Sequence, residues 1–161
     1  MIKLFDKNIK TENRKSSKGN QLKFERDGIW YKADNMGYEG LSECIVSALI
    51  EHSTLSKDEY FRLCPIFDNG AALLSDTKMD YPLGRDVYEQ IESVQAKTFS
   101  TSFEEQLEIS EKLYGQNISF SFTADHASNS LSALTEYTDE ERARVNEIIL
   151  QMRRKYSYLF K

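Results

Sequence analysis

The chain has 161 residues, a formal charge of −5, 40% hydrophobic and 12% aromatic side chains. That is apolar material for one ordinary domain, or two small lobes sharing a cleft, and it excludes a disordered polymer. The acidic balance excludes a general nucleic-acid binder, which needs a basic face against phosphates, and no apolar run approaches membrane-spanning length.

In chain order, Met1-Ile2-Lys3-Leu4-Phe5-Asp6 shows neither a long apolar segment nor a small-residue cleavage site, so a cytoplasmic location is expected. Residues 7–20 are polar and read as a loop, with Lys10, Arg14, Lys15 and Lys18 as a local basic cluster that is either a solvated stretch or a local site for a phosphate. Gln21 to Glu25 and Ile29 to Ala33 are strand-like, and Asp27-Gly28 between them is a strong hairpin turn signal. Asn35 to Gly40 reads as a second loop. From Leu41 the period becomes helical, with Leu41, Ile45, Ala48, Leu49 and His52 on one stripe and Glu43, Ser47 and Glu51 off it. Cys44 and Cys64 have no metal-ligand spacing and are expected as reduced, buried small hydrophobes.

Cys64-Pro65-Ile66-Phe67 reads as a short buried strand that delivers Asp68 to a rim, where Asn69-Gly70 turns the chain. Tyr81-Pro82-Leu83-Gly84 breaks the chain before a short helix carrying Val87, Ile91 and Val94. A further helix is expected from Ser102, with Glu105 in capping-box position, to Tyr114, stopped by Gly115. Residues 117–122 alternate like a strand but are short enough to be an extended linker. A helix from about Thr123 to Leu134 carries Ala127, Leu131 and Leu134. The last helix starts at Thr138, boxed by Glu141, with Val145, Ile148, Ile149, Met152, Tyr156 and Leu159 inward. Arg153, Arg154 and Lys155 close it and suit the helix dipole.

Four groups carry possible chemistry. Asp68 is either a cation ligand on a rigid rim or an Asx cap of its own turn. Lys32, on a strand beside Trp30, suits nucleotide phosphates or is simply an exposed strand residue. Glu43 suits an ion pair with Lys32 if its helix packs across the hairpin, or is a glutamate favoured by the helix dipole. Ser16 to Asn20 suits a phosphate cradle or a plain loop. No nucleophile elbow, paired-cysteine motif or zinc-helix motif is present, and neither His52 nor His126 has a nucleophile motif beside it.

A strand lysine, a helix glutamate and a late aspartate follow the residue order of a kinase fold. Gly-Asn-Gln-Leu-Lys (19–23), Asp-Gly-Ile-Trp-Tyr-Lys (27–32), Gly-Tyr-Glu-Gly-Leu-Ser-Glu (37–43) and Pro-Ile-Phe-Asp-Asn-Gly-Ala-Ala-Leu-Leu-Ser-Asp (65–76) resemble the HipA-like serine/threonine kinases, bacterial proteins often encoded as toxins beside an antitoxin. Phe99 to Gly115 and Arg153-Arg154-Lys155-Tyr156 resemble their helical lobe. The resemblance implies an α+β, truncated protein-kinase-like fold: residues 1–55 as a small hairpin-and-helix N-lobe, and 56–161 as a mostly helical C-lobe remnant. It implies ATP and Mg²⁺ as cofactors, Lys32 with Glu43 on the phosphates, Ser17, Gly19 and Asn20 in the phosphate loop, and Asp68 on the metal.

The departure from the family is the short joint from Ser53 to Cys64, where the family has further strands, large helices and the catalytic loop. Asp58 is the only aspartate there, with no asparagine before Asn69. Without a base and a second metal ligand, positioning groups remain but nothing orients the nucleophile. Four readings follow: a degenerate kinase keeping weak nucleotide binding; an active kinase with Asp58 or Asp76 as substitute base; a non-catalytic module binding an antitoxin-like regulator or a kinase relative; and a deletion remnant without function. No membrane and no direct nucleic-acid partner are expected.

Overall fold

A computed structural model describes residues 23–32, 34, 36–54, 72–95, 100–115 and 118–161. Its elements are β1 (Lys23–Arg26), β2 (Ile29–Lys32), α1 (Glu39–Ile50), α2 (Val87–Ser93), α3 (Phe103–Tyr114), α4 (Ala124–Ser132) and α5 (Asp139–Lys155), followed by a 3₁₀ turn at Ser157–Leu159. The described chain is thus mostly helical, with very little strand.

β1 and β2 pair antiparallel from Lys23↔Lys32 to Arg26↔Ile29. Asp27 (φ 54) and Gly28 (φ 77) both lie at positive φ, as the two central residues of a type I′ turn must. The Asp-Gly signal therefore sets the register as expected.

α1 begins at Glu39, within the stretch expected to be loop as far as Gly40. Its N-cap, Tyr38, supplies no side-chain cap. Carboxylates instead meet one first-turn amide and two that lead into the helix. Glu39 accepts from the amides of Met36 (2.7 Å) and Gly37 (3.1 Å), and Asp34 Oδ1 accepts from Gly40 N–H (2.6 Å). A Cβ on Gly40 would lie 2.6 Å from Tyr137 Oη and 3.0 Å from Asp34 Oδ1. Gly40 thus serves close approach rather than a turn, which is why a glycine-based loop reading ended too late.

The remaining caps follow local chemistry. Asp86 accepts from Glu89 N–H at the start of α2 (3.0 Å). Thr138 and Glu141 form the complete, reciprocal box expected at α5. At α3 only half of the expected box forms: Ser102 accepts from Glu105 N–H, but the Glu105 carboxylate accepts from the Ser100 hydroxyl, and that hydroxyl accepts from Ser102 N–H. Ser100 is interposed as a relay. Gly115 ends α3 in the left-handed region (φ 66), its N–H donating to Glu111 O at 2.8 Å.

Residues 118–122 are an extended connection rather than a named strand. Phe120 bridges Ser53 antiparallel on one side and Phe160 parallel on the other. Thr54 N–H to Ser119 O (2.9 Å), Ser121 N–H to His52 O (2.7 Å) and Phe120 N–H to Leu159 O (2.8 Å) hold it there.

α5 is the hub. Val145 and Ile149 join Tyr38, Leu41, Ile45, Leu49, Phe122, Ala127 and Leu131 in the larger core. Ile148, on the adjoining face, packs with Leu74 and Ile91 in a second cluster that Leu73 and Met152 flank. Apolar residues at three- and four-residue steps give α5 two buried faces, one toward α1 and α4 and one toward α2. The expected lobe boundary at 55/56 lies outside the described residues, and α1 shares one core with α4 and α5 across it in sequence. Cys44 departs from expectation: it is exposed, because it lies off the Leu41–Ile45–Leu49 stripe that α1 buries. Cys64 lies outside the described residues.

Candidate functional site

Of the candidate site residues, Ser17, Gly19, Asn20 and Asp68 lie outside the described residues, as does Asp58. Lys32 is described through its backbone as the last residue of β2, paired with Lys23. Glu43 sits one turn into α1, partly exposed on the side away from the buried stripe. The helix–helix packing joins α1 to α4, and α5 to both α2 and α4; the hairpin takes part in none of these contacts.

The described part of the 65–76 segment is Ala72 to Asp76, and here the structure is specific. Leu73 (φ 51) and Leu74 (φ 53) are consecutive non-glycine residues in the left-handed region. Each costs about 1 kcal/mol or more there, because Cβ crowds the carbonyl, so the surroundings must enforce the conformation. Burial of Leu74 against Ile91 and Ile148 is one such force.

Hydrogen bonds supply the rest. The Tyr38 hydroxyl, on a residue only 1% exposed, lies 2.9 Å from Leu73 O and 3.2 Å from Leu74 O, so its proton serves these two carbonyls. Ser42 Oγ on α1 donates to Ala72 O (2.8 Å). Tyr38 N–H donates to Ser75 O (3.3 Å), and Gly37 bridges Asp76. Four carbonyls in a row, Ala72 to Ser75, are thereby met by α1 and the residue that caps it.

Arg144 of α5 ties this anchor to α2. Its Nε donates to Tyr38 Oη (3.1 Å), and its Nη2 donates to Gln90 Oε1 (2.7 Å) and Tyr81 O (3.3 Å). Gln90, 5% exposed, returns a donor to Pro82 O (3.0 Å). Burial pushes the Tyr38 phenol above its ordinary range, and the Arg144 guanidinium pulls partly the other way. The phenol thus stays protonated and keeps its donor for the leucine carbonyls.

This arrangement positions backbone; it has no acid–base pair of its own. Asp76, considered as a substitute base, uses its carboxylate to accept Met79 N–H (3.0 Å) and cap the following turn. Among the described residues no group of three or more His, Cys, Asp or Glu side chains is placed to hold a metal ion. Tyr38, Gln90 and Arg144 were missed in the sequence because each stands alone there. The visible signal was faint: a polar Gln beside Ile91 and an Arg next to Val145, both on apolar helix faces.

A cavity of about 360 Å³ adjoins the anchor, between Leu73, Leu74, Ile91, Phe103, Met152 and Tyr156. Its walls are largely apolar, and Val94 and Phe103 at its edge are exposed. No helix among the described residues is long and apolar enough to cross a membrane.

Protein-family models, curated proteins and solved structures contain no match to this chain.

Proposed function

We propose that the chain is a degenerate HipA-like kinase-family protein that binds ATP and Mg²⁺ weakly and transfers little or no phosphoryl group. Lys32 and Glu43 would hold the phosphates, with Ser17, Gly19 and Asn20 in the phosphate loop, and Asp68 would hold the metal. The observation that supports this most is the enforced strain at Leu73 and Leu74, which lie a few residues after the family-like Asp68-Asn69-Gly70 sequence. Strained backbone held by several independent contacts clusters at ligand-holding segments and is not needed for a plain surface turn. The absence of a catalytic-loop Asp and Asn from the joint at residues 53–64 argues for binding without turnover.

Titration calorimetry of the full chain with Mg-ATP tests it. Weak binding is expected, lost in Asp68→Ala and reduced in Lys32→Ala. No heat at millimolar ATP would refute the binding. Labelled phosphate incorporated by wild type but not by Lys32→Ala would instead establish an active kinase.

A second reading, a non-catalytic module for an antitoxin-like regulator or a kinase relative, is favoured by exposed apolar side chains. Leu113 and Tyr158 are each 60% exposed, beyond those at the cavity edge. A monodisperse monomer that binds neither type of partner would count against it.

A further inference from the structure

None of the α3 residues from Phe103 to Leu113 is buried, whereas α1, α2, α4 and α5 each bury side chains. A helix of 12 residues is marginal on its own in water and depends on a packed face for most of its stability. Two cavities, each of about 360 Å³, border α3 and leave that face incomplete.

The two cavities differ in chemistry. On one side Glu104, Glu108 and Glu111 of α3 share the lining with Tyr158 and Lys161, a charged surface that water solvates well. The other lies between α3, α2, α5 and the Leu73–Leu74 segment, and none of the described residues lining it carries a charge. Such a volume admits on the order of ten waters, each wanting about three polar partners. The polar side chains around it are Tyr81, Gln95, Gln106 and Tyr156, too few to hydrate the space well.

Its walls also select a shape. Phe103 and Tyr156 meet edge to face with ring centres 5.0 Å apart, and the Met152 thioether joins them in the lining. Flat rings pack well against such groups. An apolar cavity of about 150 Å³ already takes benzene, so this one has room for two fused rings. A charge buried here would have no charged partner, which rules out the triphosphate of a nucleotide.

We infer that this cavity binds a neutral, flat, two-ring aromatic molecule, which supplies the packing face that α3 lacks. It is a second ligand, and its binding does not depend on that of a nucleotide.

The test is a titration of the full chain, carrying ¹³C-methyl methionine, with 2-naphthol at about pH 7, where a phenol is neutral. Naphthalene-2-sulfonate is the charged counterpart. The Met152 methyl resonance is expected to move along a saturating curve with a Kd on the order of 1 mM, while that of Met79, 72% exposed, stays in place. The sulfonate should bind at least about tenfold more weakly, because its charge finds no partner. Val94→Trp fills the rim of the cavity from an exposed position and should weaken naphthol binding to a similar extent. At four times the Kd, amide exchange of α3 should slow about fivefold. Met152 and Met79 shifting alike without saturation, equal affinity for the sulfonate, unchanged binding in Val94→Trp, or unchanged α3 exchange would overturn the assignment. Should Val94→Trp fail to fold, the wild-type titrations and exchange decide.

Discussion

At Gly37 nothing larger than hydrogen fits: a Cβ there would lie 1.9 Å from the Ser75 carbonyl oxygen and 2.7 Å from Thr77 Oγ1. The nearer atom is backbone, held in turn by Tyr38 N–H, so it cannot swing aside. Gly37→Ala is therefore expected to cost at least about 2 kcal/mol in urea unfolding; a cost within about 0.5 kcal/mol would mean that the bridge to Asp76 is dispensable. In the sequence Gly37 reads as an ordinary loop glycine, since the carbonyl that demands it arrives from a distant segment. Cys44 teaches the same at the other extreme. Residue type suggested burial, yet its angle around α1 set its exposure.

Elements were the most legible scale. Asp27-Gly28, Thr138 with Glu141, Gly115 and the spacing of Val145, Ile148 and Ile149 each act within a few residues, and the structure follows each. Local signals misled where a third group intervened, as Ser100 does between Ser102 and Glu105, and Asp34 and Tyr137 do at the start of α1. The complete box at α5 matters most because that helix carries both cores. Thr138→Ala should lower stability by about 1 kcal/mol, and Ser102→Ala at the half-formed, exposed box of α3 by less; the reverse ranking in chemical denaturation would contradict the hub role of α5.

On the scale of the whole molecule, two tyrosines couple distant segments and should limit stability in alkali. Burial raises the Tyr38 phenol, against a partial opposing pull from Arg144. Burial first and the Asp34 carboxylate second raise that of Tyr137. A folded-state pKa above the unfolded one means that stability is complete below about pH 10, the ordinary phenol value, and is lost as pH rises beyond it. Lys155, raised chiefly by its hydrogen bond to Glu92, acts in the same direction, but that pair is partly exposed to solvent and contributes little. The urea midpoint should fall above about pH 10, and less steeply in Tyr137→Phe; identical slopes would remove Tyr137 from the account.

The sequence by itself determined the hairpin turn, the capping box of α5, the glycine stop of α3 and the apolar stripes, because these depend on φ preferences and hydrogen bonds reaching no more than four residues. It also supplied the kinase-like residue order, which rests on resemblance. Only the tertiary structure decided that Leu73 and Leu74 are held left-handed by Tyr38 and that Arg144 joins α5 to α2. Those contacts join groups many residues apart, and no local pattern records which donor will meet which carbonyl once the helices have packed.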